Sequence, residues 1–124
     1  MKKPTTEGKG IKEIVIPILN DEYKVIVCIG DYNCWLKTFK SWGYKTKPNP
    51  ESITEMRGQC FHEKDCHPII ALRETPKTPQ QIGTLAHEAF HAISNIWEKI
   101  DDRSHDEVFA HSIGAIVRIT LNNL

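Results

Sequence analysis

The segment GTLAHEAFHAISNIW, residues 83–97, carries two histidines four apart with a glutamate directly after the first. On a helix, residues i and i+4 project from one face a turn apart, so His87 and His91 can offer two imidazole nitrogens to one metal ion. Glu88 lies about 100° round the helix from His87, beside such an ion rather than bound to it. A carboxylate in that place can take a proton from an attacking water. This is the division of labour in H-E-x-x-H: two ligands, one general base, one rigid element. The competing reading is an amphipathic helix with two histidines hydrogen-bonded in the core. The flanks are apolar (Leu85, Ala86, Ala89, Phe90, Ala92, Ile93). Imidazoles on a helix packed into a core need partners, and a metal satisfies both at once.

A catalytic zinc takes a third protein ligand and keeps its fourth position open. The next predicted helix begins SHDEVFAHSIG after the four-residue loop DDRS, so its first turns return beside the end of the preceding helix. Glu107, sixteen residues beyond His91 and one before the apolar Val108, is expected to face inward and supply that ligand. His105 and Asp106 are competitors nearer the helix end, and a first-turn carboxylate that only favours the helix dipole is the plain alternative. His111 follows Glu107 by one turn. It has several roles open to it: orienting Glu107, bonding a substrate, stabilising the oxyanion of a tetrahedral intermediate, or packing as a polar residue between two helices.

HEAFH followed by DEVFAHSIG on the next helix resembles the gluzincin arm of the zincin metallopeptidases, and most closely its minimal, phage-type members. The resemblance covers about residues 78–121, with HExxH its specific part. It implies one zinc ion held by His87, His91 and Glu107, with Glu88 as base and proton shuttle in the hydrolysis of a peptide or protein substrate. It also implies that an edge strand upstream of the metal helix binds an extended substrate by strand addition, a place that HPIIALRE (67–74) occupies in the chain order. The 124 residues hold no counterpart of the second lobe of larger gluzincins. The alternative is therefore a small regulatory or partner-binding protein with a structural or vestigial zinc site.

Several elements must position these residues. Thr78 as N-cap, Pro79 at the first helical position and Gln81 completing a capping box start the HExxH helix. Ile82, Leu85, Ala86, Ala89, Ile93, Ile96, Trp97 and Ile100 continue it as one apolar stripe. The last helix is expected over 105–121, burying Val108, Phe109, Ser112, Ile113, Ile116, Val117, Thr120 and Leu121. Upstream, IKEIVIPIL (11–19) and YKVIVCI (23–29) read as a β-hairpin, with Pro17 demoting the first strand to an edge or bulge. Asp31 caps a helix through Tyr32, Trp35, Leu36, Phe39 and Trp42, and Gly43 ends it. After the loop KTKPNPES, RGQCFHE (57–63) and HPIIALRE (67–74) read as two more strands. The order β-β-α-β-β-α-α predicts an α+β, zincin-like domain over 11–124, with an antiparallel sheet packed on the HExxH helix and the C-terminal helix. Residues 1–10 read as a flexible tail.

CFHEKDCH (60–67) places four more potential ligands within eight residues, Cys60, His62, Cys66 and His67. Their spacing is not that of a C-x-x-C knuckle, and buried thiols near a hairpin turn are preferred to a second zinc. Cys34 lies near a helix start, where a thiol pKa can fall, but no base lies near it in the sequence. The whole chain is ordinary for a single small domain, 40% hydrophobic and 26% charged. Its 16 basic and 16 acidic residues balance, so no net field draws it to nucleic acid or membrane. With no bilayer-spanning run and no apolar leader, a cytoplasmic protein with reduced cysteines is expected.

Overall fold

A computed structural model describes residues 12–19, 21–50, 58–100 and 106–124. The expected tail 1–10, the breaking loop 101–104 and His105 lie outside the described residues. Among those described are four strands, β1 (Lys12–Ile18), β2 (Tyr23–Ile29), β3 (Gly58–Phe61) and β4 (Ile69–Leu72), and three helices, α1 (Tyr32–Ser41), α2 (Pro79–Ile100) and α3 (Asp106–Asn122). No helix among them is long and apolar enough to cross a membrane.

Both hairpins form as their sequences predict. β1 pairs antiparallel with β2, Ile18 opposite Tyr23, and β3 pairs antiparallel with β4, Cys60 opposite Ile70. The expectation of an antiparallel sheet fails where the hairpins join. β2 and β4 lie side by side and parallel, Ile26 opposite Ile69, so the sheet is mixed with order β1-β2-β4-β3. Burial explains the choice. Val25 to Ile29 and Ile69 to Leu72 are buried without interruption, as strands covered on both faces must be, and both therefore sit inside the sheet. The less apolar β1 and β3 take the edges, and Pro17, lacking an N–H, stands exposed on the β1 edge. HPIIALRE is thus interior, not the edge strand that the resemblance implied. β3 provides that edge.

Alternation along the strands divides the core in two. Ile14, Ile16, Val25, Val27, Ile70 and Leu72 face α2 and α3, meeting Leu85, Ala89, Ile93, Ile96 and Ile116. Ile26, Cys28, Ile69 and Ala71 face the other way, against Cys34, Trp35 and Phe39 of α1. The sheet is therefore a middle layer with α1 on one side and α2 and α3 on the other. Asp31 caps α1 by accepting the Cys34 N–H at 3.0 Å, and Gly43, at φ +84°, turns the chain out of the helix. Thr38 joins Trp35 and Phe39 on the buried side of α1, where its hydroxyl donates to the buried Glu13 carboxylate at 3.2 Å, and Leu36 is half-buried.

α2 begins as predicted. The Gln81 N–H donates to Thr78 Oγ1 at 3.2 Å, and Gln81 Oε1 accepts the Thr78 N–H at 3.1 Å, a reciprocal capping box. Its buried side is Leu85, Glu88, Ala89, Ala92, Ile93, Ile96 and Trp97. One carboxylate thus lies among the apolar positions.

Candidate metal and peptide site

α2 carries its core residues on one side and, round the helix, a more exposed row. His87 and His91 belong to that row and are exposed. Their rings meet edge to face, with centroids 4.7 Å apart, and the two Nε2 atoms are 3.2 Å from each other. Two nitrogens bonded at 2.0–2.1 Å to a tetrahedral zinc lie about 3.3 Å apart. That separation matches what one such ion requires of two ligands, and it is equally that of a hydrogen bond between one protonated and one unprotonated Nε2.

Glu88 sits between this row and the core. It is buried, and its Oε1 accepts the backbone N–H of Cys60 at 2.9 Å. That N–H points away from β4, from the open edge of β3, so the carboxylate ties the helix to the edge strand. Burial raises the Glu88 carboxyl above its ordinary range, while the adjacent His87, the Cys60 N–H and His91 pull it back. The result is a carboxylate shielded from bulk water and held beside the two imidazoles.

α2 and β3 bound an open groove of about 380 Å³. The helix contributes His87, Glu88, His91, Ser94, Asn95 and Glu98, and the strand side contributes Gln59, Cys60 and His62. Strand and helix run in the same direction. A Cβ on Gly58 would lie 3.1 Å from Thr84 Cγ2, and two residues on, Cys60 bonds Glu88. Two strand residues advance about 6.6 Å and four helical residues about 6 Å, so the two elements stay in step along this stretch, and His62 lines the groove just beyond the end of β3.

Of the five residues assigned to the site from the sequence, the structure brings His87, Glu88 and His91 together. Glu107 and His111 are exposed on α3 and do not line the groove. The inward orientation expected of position 107 is not found, because Val108, its supposed inward neighbour, is itself 40% exposed. Phe109 is the residue that packs on α2, its ring 5.8 Å from that of Phe90 and 5.5 Å from that of Trp97. A residue two positions earlier stands about 200° round the helix, which turns Glu107 outward. Among the described residues no group of three His, Cys, Asp or Glu side chains is poised around one ion.

The CFHEKDCH residues separate. Cys60 and His62 share the groove, as strand alternation predicts, whereas Cys66 Sγ contacts Gly43 O at 3.7 Å and His67 Nδ1 accepts the Lys24 N–H at 3.3 Å. Burial pushes the Cys60 thiol up to about 12, with Glu88 adding to it. Burial likewise raises Cys34, and the Asp31 side chain reinforces it, so the helix start does not activate that thiol. Ser94, Asn95 and Glu98 were not singled out from the sequence. Their signal was present, since they continue the helical row begun by His87 and His91 at intervals of three and four. Gln59 gave no such signal, because its place in the groove depends on which strand forms the edge. Compared with known protein families, with curated proteins and with solved structures, the chain has no match.

Proposed function

We propose that the protein is a zinc-dependent peptidase whose ion is held by His87 and His91 and whose general base is Glu88. The observation that carries this reading is the 3.2 Å approach of the two Nε2 atoms beside a buried carboxylate in an open groove. A zinc ion there would supply Lewis acidity toward a water and a carbonyl. His87 and His91 would hold it through Nε2, each fixed by its place on a long, capped helix. Glu88 takes the proton of the attacking water and delivers it to the leaving amine. With Oε1 held by Cys60, that exchange falls to Oε2. β3, at the edge of the sheet and along the groove, offers backbone groups to an extended peptide. The zincin resemblance names Glu107 as third ligand. Its carboxylate reaches the ion only if α3 turns or shifts when metal binds.

The test is hydrolysis of a quenched-fluorescence peptide pool by protein loaded with one zinc equivalent. Activity is expected from the wild type, abolition by chelator, and a loss of at least about 100-fold in Glu88→Gln. Equal activity in Glu88→Gln would remove Glu88 from the mechanism.

A second reading draws on the Glu88–Cys60 hydrogen bond, which makes the same carboxylate a clamp between helix and strand. In that reading the metal is structural and the groove binds a partner without cleaving it. Stoichiometric zinc with no hydrolysis of any peptide in the pool would favour it.

A further inference from the structure

The groove does not end at the two histidines. Along α2 it continues through Asn95, one turn beyond His91, to Glu98, nearly a turn further. Glu98 is exposed, and among the described residues no ion pair engages it. Its neighbour Lys99 is directed elsewhere, donating to the Cys66 carbonyl at 3.1 Å. Asn95 Oδ1 is buried and accepts no hydrogen bond from any described residue, and Gln59 Oε1 is in the same condition. Buried acceptors without donors are rare in a folded protein because each forfeits its hydration. Asn95 itself is only partly buried and lines the groove, so a ligand there can engage its amide once Oδ1 turns outward.

We propose that the Asn95–Glu98 end of the groove is a subsite for a Lys or Arg side chain of a bound peptide. The cation pairs with the Glu98 carboxylate, and its N–H groups, or the peptide N–H groups beside it, satisfy Asn95 Oδ1. The Ser94 hydroxyl lines the same end and can accept as well. Cys60 and His62 are the titratable groups on the strand side of the groove. Distance fixes where the basic residue falls. Glu98 is seven residues beyond His91, about 10 Å along the helix, and an extended peptide covers that in about three residues. The basic residue therefore lies two to four positions from the bond placed at the histidines. This inference rests on the reading of the groove as a peptide site, and its test separates the two.

The experiment uses fluorescein-labelled decapeptides that differ at one position, Lys, Gln or Glu, with that position moved along the chain. Binding to the full-length protein is followed by anisotropy, with and without zinc, and cleavage of the same peptides by mass spectrometry. The Lys peptides are expected to bind about fivefold more tightly than the Glu peptides at one register, with the margin shrinking as salt rises. Glu98→Lys, an exposed substitution checked by circular dichroism, is expected to reverse that order. Equal binding of Lys and Glu peptides at every register, or a preference that Glu98→Lys leaves unchanged, overturns the subsite whether or not cleavage occurs. A Lys preference that reverses, with no cleavage in the presence of zinc, upholds the subsite and instead overturns the peptidase reading.

Discussion

The carboxylate of Glu88 and the backbone N–H of Cys60, 2.9 Å apart, join the HExxH helix to the edge strand of the sheet. The contact bridges the two walls of the groove and holds a buried carboxylate next in sequence to His87. Gly58, two residues before Cys60, sets the same spacing by having no side chain. A Cβ there would stand 2.7 Å from Leu72 Cδ2, 3.1 Å from Thr84 Cγ2 and 3.3 Å from the Ala71 carbonyl oxygen. Gly58→Ala is therefore expected to push β3 from α2 and cost about 1–3 kcal/mol in urea unfolding. Faster exchange of the Cys60 amide should accompany it. An unchanged exchange rate would mean that the strand is not held by this contact.

Thr120 lies fully buried on the inner side of α3, and its hydroxyl finds no partner among the described residues. Thr120→Val removes a dehydrated oxygen and keeps the shape. The variant should be more stable by about 1 kcal/mol in chemical denaturation. A loss of stability of that size would show that the hydroxyl is bonded after all.

The capping box at the start of α2 makes a different prediction. Removing the Thr78 hydroxyl leaves the Gln81 N–H without its acceptor. Thr78→Ala should lower stability by about 1 kcal/mol, and Thr78→Ser should restore it. Thermal unfolding followed by far-UV circular dichroism reads both.

His67 supplies a pH dependence. Burial, followed by the Lys24 and Lys99 cations, holds its imidazole below the ordinary value of 6.5, and its Nδ1 accepts the Lys24 N–H, which only the neutral ring can do. The unfolded chain thus takes up the proton first. The contribution to stability is full above pH 6.5 and is lost as the pH falls through the lower folded value. His67→Asn keeps an acceptor near the Nδ1 position but does not titrate. The difference in melting temperature between wild type and variant should change below pH 6.5 and stay constant above it.

Much of this framework is legible in the chain because its signals are local. Thr78, Pro79 and Gln81 mark the helix start within four residues, and the turn after Ile18 and the one after Phe61 mark two hairpins. What joins the hairpins is not local. Only the uninterrupted apolar runs of β2 and β4 hint that both lie inside the sheet, and that places β3 rather than β4 at the edge. The helix row His87, His91, Asn95 and Glu98 follows from periodicity alone, but its opposite wall of Gln59, Cys60 and His62 follows only from the strand order. α3 shows the limit most plainly. Its apolar residues span so wide an arc that the sequence does not choose between Val108 and Phe109 as the inward residue. Packing of Phe109 on Phe90 and Trp97 decides it, and with it the outward place of Glu107.

The pairing of His87 with His91 is the centre of the account, and a calorimetric titration of metal-free protein with zinc tests it most directly. The wild type should bind one ion per chain and gain thermal stability, about 2.7 kcal/mol when free zinc is a hundredfold above Kd. His87→Ala and His91→Ala should each lose that binding, while Glu88→Gln keeps it. Absence of a one-to-one isotherm, or an isotherm untouched by either histidine substitution, would contradict it.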